Sequence, residues 1–190
     1  MKKTLIASAL AISCFFASVV APVNAADYVV DTKGAHASIN FKIKHLGYSW
    51  LTGRFNKFDG TFAYDEANIS ATTIKINIDA SSIDTNHAAR NKHIRSNDFL
   101  DVGKFANATF VSTKVEGKGN SKLAITGNLT MHGVTKSIII DAIKIGEGKD
   151  PWGGYRIGFS GTTTISMQDF GIKSSFGEIT FDLYLEGIRK

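Results

Sequence analysis

The chain is 190 residues long, 43% apolar, 21% charged and 11% aromatic, with 18 Gly, 2 Pro and 1 Cys. That balance excludes a disordered chain, whose mark is low hydrophobicity with high net charge, and the length suits one domain around one core. The formal charge of +5 is spread along the sequence without a concentrated basic stripe, which argues against nucleic acid as a partner.

Residues 1–25 read as a secretory leader: Lys2-Lys3, an apolar run over 5–20, then Val23-Asn24-Ala25 as a small-residue cleavage site. The run is too short for a membrane helix, which takes about 20 apolar residues, and no later stretch approaches that length, so no transmembrane segment is predicted. Cleavage after Ala25 leaves residues 26–190 as a single soluble, exported domain. Cys14 lies within the leader, and Ala11-Ile12-Ser13 ahead of it lack the branched apolar residue of a lipobox, so ordinary cleavage is expected. The domain that remains has no Cys. Disulfides, thiolate catalysis and Cys-zinc sites are therefore excluded, and core burial alone must hold it together. It contains 19 Ile and 18 aromatic residues against 7 Leu, a balance that suits pleated strands better than helices.

The first strand signal is Ala37, Ile39, Phe41 and Ile43, alternating with Ser38, Asn40, Lys42 and Lys44; this period of two makes one face apolar and the other wet. Asp59-Gly60, flanked by 54–58 and 61–64, predicts a two-residue hairpin. Ile74, Ile76, Ile78 and Ala80 form a second alternating set. Residues 85–105 break the pattern: β-branched residues thin out, Thr85 and Asn86 are capping types, and Gly103 is a stop, which predicts one or two short helices. Strands are then predicted at 110–115 and 123–129, a turn near His132-Gly133, a strand over 134–145, a turn at Asp150-Pro151-Trp152-Gly153-Gly154 and a strand over 156–167. Ile179, Phe181, Leu183 and Leu185 give the cleanest alternation. About eight strands with one helical insertion imply an all-β, closed antiparallel barrel or a sandwich. An eight-stranded barrel leaves an interior able to hold one small ligand. Periodicity does not choose between the two.

No catalytic constellation stands out. His87 and His93, six residues apart, fall on opposite faces of a helix and are poor joint metal ligands, and Gly158-Phe159-Ser160-Gly161 lacks the spacing of a nucleophile elbow. No metal and no cofactor is predicted. Two features point to binding. His87, Arg90, Lys92, His93 and Arg95 concentrate positive charge on the helical insertion: a solvated face, or a grip on an anionic head group. Leu46-Gly47-Tyr48-Ser49-Trp50-Leu51, with Phe55 and Phe58 behind, is either end packing or the apolar rim of a pocket.

The segments HLGYSWLTGRFNKFDGTFAYDE, DTNHAARNKHIRSNDFLDVGKFANATF, LTMHGVTK and DPWGGYRIGFSG closely resemble the YceI-like family of bacterial periplasmic proteins, over essentially the whole of residues 27–187. Asn91 stands where that family usually has Asp. The resemblance implies an eight-stranded, lipocalin-like antiparallel barrel with an apolar tunnel for polyisoprenoids or related long-chain amphiphiles. The expectation is a periplasmic carrier or scavenger that performs no chemistry on its lipid. The alternatives are an enzyme on isoprenoid or quinone precursors, which needs a titratable group inside the barrel, and a stress-related interaction module whose barrel is filled by side chains. A homodimer is left open. The expected site comprises Trp50, Phe55 and Phe62 near a mouth and Phe41, Ile43, Phe159 and Phe181 along the bore, with Arg54 and Arg90 for a polar head.

Overall fold

A computed structural model of the chain describes residues 25–173 and 177–190; of the predicted leader over 1–25, residues 1–24 lie outside them. The elements in order are β1 (Ala26–Val30), β2 (Ser38–His45), β3 (Ser49–Phe55), β4 (Phe58–Tyr64), β5 (Thr73–Asp79), β6 (Ile83–Asp84), α1 (Ala88–Arg95), β7 (Asn107–Gly119), β8 (Lys122–Met131), β9 (Val134–Lys149), β10 (Tyr155–Ser166) and β11 (Glu178–Arg189). Three short 3-10 turns lie among them.

The sheet runs β1-β4-β5-β7-β8-β9-β10-β11 and closes because β11 also pairs with β1. Every pairing is antiparallel. The ring therefore has eight strands and is a barrel, the choice that periodicity left open. β11 has two partners in succession along one edge: Gly187, Ile188 and Arg189 pair with β1, whereas Ile179 to Tyr184 pair with β2. β2, β3 and β6 thus extend the sheet from that edge, and they pack around a small core of Ile39, Phe41, Phe55 and Ile83.

The predicted hairpin at Asp59-Gly60 does not form. β4 passes straight through both residues, and β3 is paired with β2 and β6, not with β4. The chain merely bends at Asn56-Lys57, where Asn56 N–H donates to Ser82 O and Asp79 N–H donates to Lys57 O. Gly60 serves closeness, not a turn. A Cβ there would lie 2.5 Å from Ile76 Cδ1 and 2.7 Å from Lys75 O on the neighbouring β5. The turn at His132-Gly133 does form, with φ of +52° and +74° joining β8 to β9, as suits a tight hairpin in a right-twisted sheet.

The helical insertion is shorter than its sequence signal. α1 spans eight residues with His87 as its N-cap, its Nδ1 accepting from Arg90 N–H at 3.1 Å. Ile94 on this helix packs against the β2–β3–β6 core, so the insertion covers that layer. Asn91 is buried, and it accepts from Thr85 N–H and Oγ1 at 2.8 and 2.6 Å while donating to Asp84 Oδ1 at 3.0 Å. An aspartate there would face the Asp84 carboxylate without a donor, which gives the Asn at this position a physical reason.

Candidate binding cavity

Side chains alternate across each strand, so each contributes one set to the barrel interior. β4 sends in Phe62 and Tyr64, β5 Ile74 and Ile76, β8 Leu123 and Ile125, and β9 Ile140 and Ala142; Phe159 of β10 faces Leu185 of β11. They surround a cavity of about 150 Å³. Aromatic rings order part of its wall. Phe62 meets Phe159 edge-on at 5.9 Å, Tyr64 meets Phe159 at 5.3 Å, and Tyr28 stacks on Phe62 at 4.9 Å, all within the range in which ring pairs attract beyond their buried area. The interior is not filled, which removes the premise of the plugged-barrel reading.

The lining is aliphatic and aromatic, with a few hydroxyl groups and no carboxylate or imidazole among the described residues. One hydroxyl stands apart: Thr72 is buried on this wall, and its Oγ1 has no hydrogen-bond partner. Lys144 follows Ile140 and Ala142 on the inward face of β9 and lies beside Tyr64, with Nζ 5.7 Å from the ring centroid. Nζ donates to Glu66 Oε1 at 2.7 Å and lies 3.6 Å from Glu147. Burial acts to lower the Lys144 pKa, but the Glu66 hydrogen bond and the charges of Tyr64 and Glu147 outweigh it, so the net direction is up. Burial pushes the Tyr64 hydroxyl up as well. Thr72 and Lys144 were absent from the predicted site. For Lys144 the signal existed, since Ile138, Ile140, Ala142 and Lys144 share one period-two face; for Thr72 there was none.

Of the predicted residues, Phe55, Phe62, Phe159 and Phe181 line the cavity. Phe41 does not: its ring lies 6.0 Å from Phe55 and 6.2 Å from Phe181, within the β2–β3–β6 core. Ile43 packs against the main core from β2. Trp50 is exposed on the β2–β3 hairpin. Arg54 is exposed on β3 opposite Asp84. Arg90 is turned inward to the chain, its Nε donating to Thr85 Oγ1 at 2.8 Å and its Nη2 to Thr85 O at 2.7 Å. The structure thus brings the four phenylalanines together and leaves the other five outside the cavity wall.

A second polar assembly lies on the outer face of β10 and β11. Arg156 Nη1 donates to Asp31 Oδ2 and Glu186 Oε1, both at 2.6 Å, and Nε donates to Asp150 Oδ2 at 2.8 Å. His36 Nδ1 is 2.9 Å from the same Asp31 oxygen. The Arg156 hydrogen bond first, and His36 second, hold the Asp31 carboxyl down at about 2, while the three carboxylates raise the Arg156 pKa. Asp31, His36 and Glu186 are spaced as a cation site would require, but the guanidinium already bonds both carboxylates.

The family profile of the YceI-like domain matches residues 28–186. A UPF0312 protein of Vibrio cholerae is 56% identical over 194 residues, covering all of both chains, and one from Shewanella sp. strain W3-18-1 is 55% identical over the same span. The crystal structure of a Campylobacter jejuni YCEI protein superposes with a TM-score of 0.69 at 31% identity, covering 78% of this chain and 90% of that one. Burkholderia cenocepacia BcnA has the same fold, with a TM-score of 0.74 at 21% identity over 83% of this chain and 98% of its own. So has a polyisoprenoid binding domain from Saccharophagus degradans, at 0.63 and 16% identity over 87% and 99%.

Proposed function

The chain belongs to the YceI-like family, and on that premise we propose that it is a periplasmic carrier that holds a polyisoprenoid or similar long-chain amphiphile in its barrel and does no chemistry on it. The observation that carries this reading is the apolar cavity inside a closed ring of strands. Periplasmic placement rests on the leader-like residues 1–25; in addition, no helix of the described residues is long and apolar enough to cross a membrane. Among the described residues the titratable side chains on the wall are tyrosines, and burial pushes Tyr64 further from ionisation; without a carboxylate or imidazole there to take up a proton near neutral pH, the wall supports binding over catalysis.

The energetics suit a hydrocarbon. Each buried CH₂ contributes about 0.8 kcal/mol, so ten of them supply roughly 8 kcal/mol before ordering and association costs are met. The cavity of about 150 Å³ is narrower than the ~300–1,000 Å³ of sites for drug-sized ligands. A long chain therefore lies extended, with lining side chains turning aside or with part of its length outside. Four predicted residues, Phe55, Phe62, Phe159 and Phe181, grip the chain; Lys144 and Tyr64 are placed to meet its polar end.

The test is native mass spectrometry of protein purified from its own periplasm, before and after organic extraction. A bound mass that extraction removes is expected, and Phe159→Asp should abolish it by placing a charge in the channel. An empty wild-type protein, or a folded Phe159→Asp variant that keeps its lipid, would overturn the proposal.

A further inference from the structure

The tip of the β2–β3 hairpin exposes its large apolar side chains. Tyr48 is 88% exposed, Leu46 68% and Trp50 57%, and none of the three lines the cavity. Leu46 also sits in the left-handed region at φ +51°, followed by Gly47 at +82°, in a tight turn closed by Tyr48 N–H donating to His45 O at 3.0 Å. The other non-glycine residues with positive φ among those described are Ala35, Asn86, Asp101, Asn120, Ser121 and His132. Leu46 is thus the one bulky aliphatic side chain held there, although Asn or Asp would occupy the same turn with less strain. Nothing inside the fold gains from that choice, because the side chain points into water.

The segment that carries the tip is basic. From Thr32 to Phe58 the sequence carries Lys33, Lys42, Lys44, Arg54 and Lys57 and not one Asp or Glu. Lys42 is paired with Asp182 of β11 at 3.0 Å. Lys44 lies directly across from Trp50 in the hairpin register, and among the described residues it has no ion-pair partner. The strand next to β2 does bring Glu178 to the same end of β11, so the tip is basic without being surrounded by bases. Tyr and Trp favour the boundary between water and hydrocarbon, where one edge of the ring is wet and the rest apolar. Basic side chains beside them are drawn to anionic head groups.

We propose that this hairpin tip is a membrane-docking element, with Leu46, Tyr48 and Trp50 entering the head-group boundary of an anionic phospholipid surface and Lys44 meeting the head groups. The docking does not depend on what the barrel holds. A second exposed apolar row, Ile139, Ile143 and Ile145 on the outer face of β9, is interrupted by the exposed Asp141 and lacks aromatic residues, so it fits such a surface less well.

The experiment is co-sedimentation of the purified protein with vesicles of phosphatidylglycerol and phosphatidylcholine, and with phosphatidylcholine alone. Binding is expected to the anionic vesicles, weakening as salt is raised. The triple variant Leu46→Ser, Tyr48→Ser, Trp50→Ser should lower the partition coefficient at least tenfold, and Tyr48→Ser alone should lower it measurably. Ile139→Ser with Ile143→Ser should leave it unchanged. In a Trp152→Phe background, Trp50 emission should shift to the blue with anionic vesicles only. All these variants should keep any lipid held in the barrel, which separates this test from that of the carrier reading. Three results would overturn the proposal: no binding of the wild-type protein to anionic vesicles, undiminished binding of the triple variant, or a wild-type dimer in sedimentation equilibrium that the triple variant makes monomeric, which would assign the tip to a second copy of the chain.

Discussion

The two faces of β10 and β11 are built on opposite physical terms. Inward, Ile157, Phe159 and Leu185 contribute only area and shape to the barrel interior. Outward, one position away, Arg156 and Glu186 join Asp31 and Asp150 in short, directional, charge-assisted bonds, of the kind that are stronger and more geometrically exacting than neutral ones. The inner face tolerates many occupants because dispersion and hydrophobic burial do not specify orientation. The outer face does the specifying. Asp31 is where β1 leaves β11, just before β2 takes over the same edge, and tying it to Arg156 anchors the crossover that closes the ring. A loosely specified interior is compatible with a well-defined fold because the fold is pinned from outside.

Removing the outer pin should have the largest effect. Arg156→Met strands the buried Asp31 carboxylate and leaves the half-buried Asp150 and Glu186 without their cation, and leaving a carboxylate unpaired out of water is strongly unfavourable; urea unfolding at neutral pH measures the loss. A loss below ~1 kcal/mol would mean that the barrel closes without this network. Acid should reproduce part of the same loss in the wild-type protein. Asp31 has a folded pKa of about 2 against an ordinary 3.8. Its stabilisation is therefore full above 3.8 and lost as pH falls through about 2. The gap in unfolding free energy between wild type and Arg156→Met should accordingly shrink between pH 5 and pH 2.5.

On the inner face the expected changes in stability are smaller, and the change in binding is complete. Ala142→Phe places a ring in the cavity at a cost of about 1–3 kcal/mol from crowding, and it should eliminate co-purified lipid while thermal unfolding remains cooperative. Lipid retained at wild-type level would show that the cavity is not the site. Thr72→Val should have the smallest effect and the opposite sign. It deletes a buried hydroxyl that has no partner, and since an unsatisfied group costs about 1–3 kcal/mol, a gain of about 1 kcal/mol is expected in chemical denaturation. A loss instead would reveal that the hydroxyl is satisfied within the folded protein.

Much of the fold was legible because the side-chain period in a strand is two. The alternation in residues 37–43 and 179–185 put Ile39 with Phe41 and Phe181 with Leu183 on one packed face of each strand, as found, and His132-Gly133 announced its turn through the residue types that accept positive φ. Asp59-Gly60 misled for a physical reason. Glycine serves both sharp turns and close strand approach, and only the position of Ile76 on β5 reveals which need Gly60 meets. The site was legible in kind more than in membership. Aromatic residues at alternating positions implied an apolar bore, but Phe41 and Phe181 are indistinguishable by period, and one lies under the β2–β3–β6 layer while the other reaches the cavity.

The amino-acid sequence by itself determined most of the strands, their wet and dry faces, the helical interruption and the family, because each is encoded in neighbours along the chain or in motifs that lie along it. β1, β6 and the break between β3 and β4 were not among them. Which dry face meets the cavity and which meets another layer was decided only in three dimensions. That choice depends on β11 pairing first with β2 and then with β1, near the opposite end of the sequence, and such pairings follow from chain closure and packing volume, to which local periodicity is blind.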